Sequence, residues 1–187
     1  MITLVPGGSG SGKSAYAEDV LTGFGSCERI YIATMYPFDE ESKKRVERHR
    51  RMRAEKNFTT IECYTGLKHV QVPKGACVLL ECMSNLTANE MFQEDGAKER
   101  TVEAVLEGIE ALDAQAAELV IVTNEIFSDG IEYEEETRRY QKYLGEINRE
   151  TARRACQVTE VVYGIPLTYK NRTEKTDRTG EISDETE

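Results

Sequence analysis

Gly7-Gly8-Ser9-Gly10-Ser11-Gly12-Lys13-Ser14 decides how this chain is read. It follows the apolar run Ile2-Thr3-Leu4-Val5 and precedes Ala15 to Leu21, an alanine-bearing stretch that reads as a helix. The pattern is G-x-x-x-x-G-K-S, the P-loop, in its strand–loop–helix setting. Glycines let successive backbone N–H groups turn toward a phosphate with no Cβ in the way. The helix that follows adds unpaired N–H groups and the positive end of its dipole. In this pattern Lys13 reaches the β- and γ-phosphates, and the Ser14 hydroxyl holds Mg²⁺. A flexible Gly/Ser turn with a chance lysine would lack both the fixed spacing and the flanking elements.

Outward from the loop, strands and helices alternate. Arg29 to Thr34 is β-prone, and Phe58 to Cys63 reads as another strand. Ala76 to Cys82 and Leu119 to Glu125 are apolar runs suited to strands buried on both faces. Val158 to Tyr163 reads as the last strand. Helices are expected from Asp39 to about Arg53, from Ser84 to Phe92, from Ala97 to Glu118 and from Glu134 to Cys156. This order predicts an α/β protein, a P-loop NTPase-type three-layer fold around a largely parallel central sheet. Residues 1–170 are expected to form one domain. From Asn171 to Glu187, Ile182 is the only large apolar residue, so a flexible polar tail is expected.

The 187 residues carry a net charge of −10, which argues against a nucleic-acid partner. No apolar run approaches the roughly 20 residues that span a bilayer, and no basic start leads into a long apolar stretch. The five cysteines include no CxxC pair, so neither a zinc site nor a disulfide framework is expected, and a reducing cytoplasm is the simplest compartment. The charge is uneven. From Lys43 to Lys56, eight basic residues stand against Glu47 and Glu55, a local +6 that suits a small polyanion such as a triphosphate. Part of it also fits the end of a helix dipole.

Ligands of open α/β sheets bind at the carboxyl ends of the strands. Glu81 and Glu125 each follow a buried strand there, and each reads either as a Walker-B-like acid or as a solvated carboxylate. His49 lies in the basic segment, with Val46 and Met52 three residues to either side and Arg45 and Arg53 four away. So placed, it can bind phosphate, pack, or act as a nucleophile, and surrounding cations favour its neutral form. His69 has no comparable setting.

Together these pieces resemble the bifunctional adenosylcobinamide kinase / adenosylcobinamide-phosphate guanylyltransferase family of cobalamin biosynthesis. The resemblance runs from about Ile2 to Lys170. It is carried by the P-loop with Ala17-Glu18, by Tyr31-Ile32-Ala33-Thr34, and by Arg45-Val46-Glu47-Arg48-His49 with Arg53. Thr60-Ile61-Glu62-Cys63, Leu79-Leu80-Glu81-Cys82 and Val122-Thr123-Asn124-Glu125 complete it. It implies phosphorylation of adenosylcobinamide by ATP or GTP, then transfer of GMP from GTP to that phosphate through a guanylated His49. It implies nucleotide contacts at Gly7 to Ser14, at Thr34, Met35 and Tyr36, at Arg50, Arg51, Met52 and Arg53, and at Glu62 and Glu81. It also implies a homotrimer. Gly10 stands where the family usually has arginine, and Arg48 where it commonly has histidine. Two other readings stay open: a P-loop small-molecule kinase without guanylyl transfer, and a nucleotide-binding regulatory module.

Overall fold

The computed structural model describes residues 1–172 except 39, 41–43, 45, 48–50, 52–55 and 128–132. β1 (Ile2–Gly7) leads through the glycine-rich loop into α1 (Lys13–Thr22). β2 (Arg29–Ala33), β3 (Phe58–Glu62) and β4 (Cys77–Glu81) follow. Next come α2 (Met83–Phe92), α3 (Thr101–Gln115), β5 (Glu118–Asn124) and α4 (Glu135–Arg154). β6 (Gln157–Val162) and β7 (Ile165–Asn171) close the chain as a hairpin.

The seven strands form one sheet in the order β3-β2-β4-β5-β1-β6-β7. The pairings from β3 to β6 are parallel, and β7 runs antiparallel to β6. Side chains alternate across a strand, so neighbouring residues serve opposite faces. Leu4, Ile32, Leu80 and Ile121 pack with Leu86, Val105, Ile109, Leu112, Leu144 and Ile147 of α2, α3 and α4. Val5, Tyr31, Leu79, Val120 and Val122 pack with Ala17 and Leu21 of α1. Helices therefore cover both faces, which is why the central strands read as unbroken apolar runs. α4 opens on Glu135 and Glu136 and ends on Arg153 and Arg154, the charge order its dipole favours.

The α/β reading, with its largely parallel sheet between two helical layers, holds. Four local expectations change. β7 was not expected; Asn171 pairs with Gln157 inside it, and the Arg172 N–H donates to the Cys156 carbonyl (2.9 Å), so ordered chain passes the expected boundary at Lys170. Residues 173–187 lie outside the described residues. α3 begins at Thr101 rather than Ala97, because Lys98 takes φ +55° and Lys98–Arg100 form a 3₁₀ turn. Cys27 and Cys77 form a disulfide, although the sequence pointed to none. The cause is strand order: β2 and β4 are neighbours, and Arg29 lies level with Cys77, which brings the two sulfurs together. The helix expected from Asp39 to Arg53 falls mostly outside the described residues, but Glu40, Lys44, Val46, Glu47 and Arg51 are helical.

Candidate functional site

The loop after β1 turns back on itself with Gly10 at φ +71° and Gly12 at φ +90°, left-handed positions that suit glycine. The Ser11 N–H donates to the Gly8 carbonyl (3.2 Å), which closes the turn. Gly7 has no room for a side chain; a Cβ there would lie 2.6 Å from Ser11 Oγ and 2.7 Å from the Val161 carbonyl oxygen. The tip of the β6–β7 hairpin braces the loop from outside, where the Gly164 N–H donates to the Ser11 carbonyl (2.8 Å). Ser11 Oγ is buried and has no hydrogen-bond partner among the described residues, a polar atom beside the expected phosphates.

Lys13 is buried, and its ammonium arches back to donate to the Gly8 carbonyl at 2.9 Å. Burial pulls the Lys13 pKa below its ordinary value; nearby Cys82 and the Glu81 carboxylate offset part of that. At the second residue of α1, the Ser14 hydroxyl donates to the Glu81 carboxylate. This contact separates the two candidate acids. Glu81 is buried at the end of β4 and is joined to the P-loop serine. The Glu125 carboxylate accepts the Phe127 N–H (2.9 Å) and so closes its own turn. The reading of Glu81 as a solvated carboxylate is therefore replaced by a buried one.

Thr34 holds the end of β2 against the end of β4. Its hydroxyl donates to the Cys82 carbonyl (2.8 Å) and accepts the Cys82 N–H (2.7 Å). Its own N–H donates to the Glu81 carbonyl (3.1 Å), and its carbonyl accepts from the Asn89 side chain (2.8 Å). Thr34 is fully buried, so its side chain positions the Glu81 turn. Beside that turn opens a cleft enclosing about 380 Å³, part of it open to solvent, lined by Tyr31, Ala33, Met35, Val46, Glu81, Cys82 and Asn85.

The structure thus brings Gly7, Gly8, Ser9, Gly10, Ser11, Gly12, Lys13, Ser14 and Glu81 together, with Met35 in the adjoining cleft. Tyr36 and Glu62 lie farther out: Tyr36 is 5.0 Å ring-to-ring from Tyr64, whose hydroxyl donates to the Glu62 carboxylate (2.9 Å). Arg51 is exposed and pairs with Glu47 one turn earlier (2.8 Å). Lys56, counted in the basic cluster, pairs with Glu18 (2.8 Å) and Asp19 (3.1 Å) on α1. His49, Arg50, Met52 and Arg53 lie outside the described residues. Sequence reasoning named Tyr31, Ala33 and Cys82 only within the stretches that carry the family resemblance, gave them no site role, and did not name Asn85. The alternation Tyr31, Ala33, Met35 along one face of an extended segment was the signal available for three of the lining residues.

The family described as cobinamide kinase / cobinamide phosphate guanyltransferase matches residues 3–169. The chain belongs to that family. The bifunctional adenosylcobalamin biosynthesis protein CobU of Escherichia coli (strain K12) is 32% identical over 184 residues, covering 91% of this chain and all of that protein. Its namesake from Salmonella typhimurium (strain LT2) is 29% identical over 185 residues, with the same coverage. Among solved structures, the flagellar accessory protein FlaH of Methanocaldococcus jannaschii is similar at 12% identity and TM-score 0.47, covering 91% of this chain and 78% of that one. Membership makes this chain a bifunctional cobalamin-biosynthesis enzyme of the cobinamide kinase / guanyltransferase family. Among the described residues, no helix is long and apolar enough to cross a membrane.

Proposed function

We propose that this enzyme phosphorylates the free hydroxyl of adenosylcobinamide with a nucleoside triphosphate and then transfers GMP from GTP to the new phosphate. The observation that carries the reading is the joining of the P-loop serine, Ser14, to the buried Glu81 directly above the Lys13 turn. A P-loop with such an acid is the apparatus of phosphoryl transfer, where positioning and charge stabilisation supply most of the catalysis.

In the first step the substrate hydroxyl attacks the γ-phosphorus, the β–γ bridge bond breaks, and the nucleoside diphosphate leaves. Lys13, released from the Gly8 carbonyl, offers its charge to the β- and γ-oxygens. The backbone N–H groups of the loop and of the start of α1 take the remaining phosphate oxygens. Ser14 and Glu81 are hard oxygen donors in mutual contact, a set that fits Mg²⁺ arriving with its nucleotide. When bound, Mg²⁺ neutralises charge on the phosphate oxygens.

In the second step a His49 ring nitrogen attacks the α-phosphorus of GTP, a P–N bond forms, and pyrophosphate leaves. A cobinamide-phosphate oxygen then attacks that phosphorus, the P–N bond breaks, and the imidazole is restored. Support comes from Val46, three positions before His49, which lines the cleft beside Glu81. The mobile dianionic product of one step is the acceptor of the next, so a single cleft serving both has a chemical logic. An adenine or guanine triphosphate can supply the first step, and the second requires GTP.

Incubation with α-labelled GTP tests the reading. The wild-type protein is expected to carry an acid-labile, alkali-stable GMP label that is discharged by cobinamide phosphate. His49→Ala is expected to lose the label while keeping the kinase step. Kinase turnover with no label on the wild type would leave a plain small-molecule kinase. Full labelling of His49→Ala would remove His49 as the nucleophile.

A further inference from the structure

Glu18 of α1 is a second buried carboxylate, and the chemistry above makes no use of it. It is 2% exposed and accepts from the Lys56 ammonium at 2.8 Å. Asp19, next along the helix, accepts from the same ammonium at 3.1 Å. Lys56 stands two residues before β3 and is held by its backbone as well. Its carbonyl accepts from the Arg29 guanidinium at 3.2 Å. That guanidinium also donates to the carbonyls of Thr22 (3.4 Å) and Gly25 (3.3 Å), at and just past the end of α1. The chain entering β3 is thus tied to α1 through its side chain and to the start of β2 through its carbonyl.

Stability alone is a poor reason for such a tie. Burying a carboxylate is costly, and apolar side chains of similar size often replace a buried ion pair with no loss of stability. What a charge pair can add is a fixed register between the segments it joins. The segment fixed here is the crossover from β2 to β3, which carries His49. At the other described contact of that crossover, Val46 lines the cleft beside Glu81. His49 stands three positions after Val46 and seven before Lys56. The helix that holds Lys56 is the one that begins at Lys13 and Ser14. The tie therefore joins the far end of the His49 segment to the element that presents the phosphate-binding loop. We propose that Lys56, through Glu18 and Asp19, is a positioning residue for guanylyl transfer, setting where the His49 segment comes down against the P-loop helix. It touches no substrate and acts through the chain between it and His49. This rests on the proposed function, in which His49 is the nucleophile. The kinase step uses Lys13, Ser14 and Glu81 and does not depend on the tie.

The test is single-turnover labelling with α-labelled GTP, beside kinase turnover of adenosylcobinamide and urea unfolding. It compares wild type, Lys56→Met and the double variant Glu18→Leu/Lys56→Met. Lys56→Met leaves the Glu18 carboxylate buried without its partner and is expected to be less stable than wild type. The double variant removes both charges and is expected to unfold near the wild-type urea midpoint. Both variants should form the GMP label about tenfold more slowly at saturating GTP, the effect of a misplaced nucleophile. Their kinase kcat and nucleotide KM should stay within about twofold of wild type. If the pair served stability alone, the double variant would label at the wild-type rate, and that result would overturn the proposal. So would wild-type labelling by Lys56→Met, or a kinase kcat that falls in step with labelling in both variants. If Lys56→Met does not fold, the double variant decides. A wild-type protein that takes no label removes the proposed guanylyl step, and this inference falls with it. A labelled wild type with unslowed variants removes the inference alone.

Discussion

Thr34→Val isolates the contact that positions the site. Valine keeps the shape of threonine and replaces the hydroxyl with a methyl group. The lost hydroxyl is both donor to the Cys82 carbonyl (2.8 Å) and acceptor for the Cys82 N–H (2.7 Å), in a place where Thr34 is 0% and Cys82 7% exposed. The Cys82 carbonyl keeps the Leu86 N–H (3.1 Å), but the buried Cys82 N–H is left unpaired. That costs about 1–3 kcal/mol. For a chain of this size it lowers the thermal midpoint by roughly 2–12 °C. Catalysis should suffer as well, because the same turn presents Glu81 to Ser14. Thr34→Ser keeps the hydroxyl and should stay within about 1.5 kcal/mol of wild type, losing only a methyl group. Urea unfolding of the three proteins, beside nucleotide binding, is the assay. A Thr34→Val protein with wild-type stability would refute the reasoning. Full stability with lost nucleotide binding would return the Thr34 side chain to the ligand.

Thiol counting checks the cysteines: three should react in the unfolded, unreduced protein and five after reduction, and five without reductant would contradict the Cys27–Cys77 bond. In the folded protein, burial and the charge of Glu90 push the Cys63 thiol up to about 11. At pH 8 its thiolate is then roughly one part in a thousand, and its alkylation should speed up about tenfold per pH unit until pH approaches 11. A rate that levels off near pH 9 would contradict this. Gly7→Ala should destabilise by about 1–3 kcal/mol and weaken nucleotide binding, since the new Cβ overlaps Ser11 Oγ and a backbone oxygen of β6. An unchanged midpoint with unchanged binding would contradict the tight packing at that position.

The buried strands were legible because their apolar runs record burial on two faces, as at Val78-Leu79-Leu80 and Val120-Ile121-Val122. β7 was not, for the same physical reason. Five of the seven residues Ile165–Asn171 are exposed in unbroken succession from Ile165 to Tyr169, so no alternation marks a face, and Pro166 argues against a strand. Pro166 is tolerated here because β7 is the edge strand. The turn that makes the hairpin, with Tyr163 at φ +51° and Gly164 at φ +80°, lay within reach of a sequence argument only through its glycine. The disulfide needed strand order, which places β4 beside β2 although β3 intervenes in sequence. The P-loop declared itself, because its spacing is its chemistry. Local sequence did not choose between Glu81 and Glu125, since both follow buried strands; the family resemblance alone named Glu81. The fold supplies the physical reason, since β4 ends beside Ser14 while Glu125 turns back to the Phe127 N–H. The double role of the Thr34 hydroxyl was equally hidden, because its partner Cys82 is 48 residues away.

The most direct test of the central claim is product analysis by mass spectrometry after incubation with adenosylcobinamide, ATP, GTP and Mg²⁺. Wild-type protein is expected to yield adenosylcobinamide phosphate and then its GDP-linked product with release of pyrophosphate. Lys13→Ala, which removes the charge at the P-loop turn, should slow formation of both about tenfold or more. Absence of any phosphorylated corrinoid from the wild-type reaction, or wild-type rates from Lys13→Ala, would contradict the account.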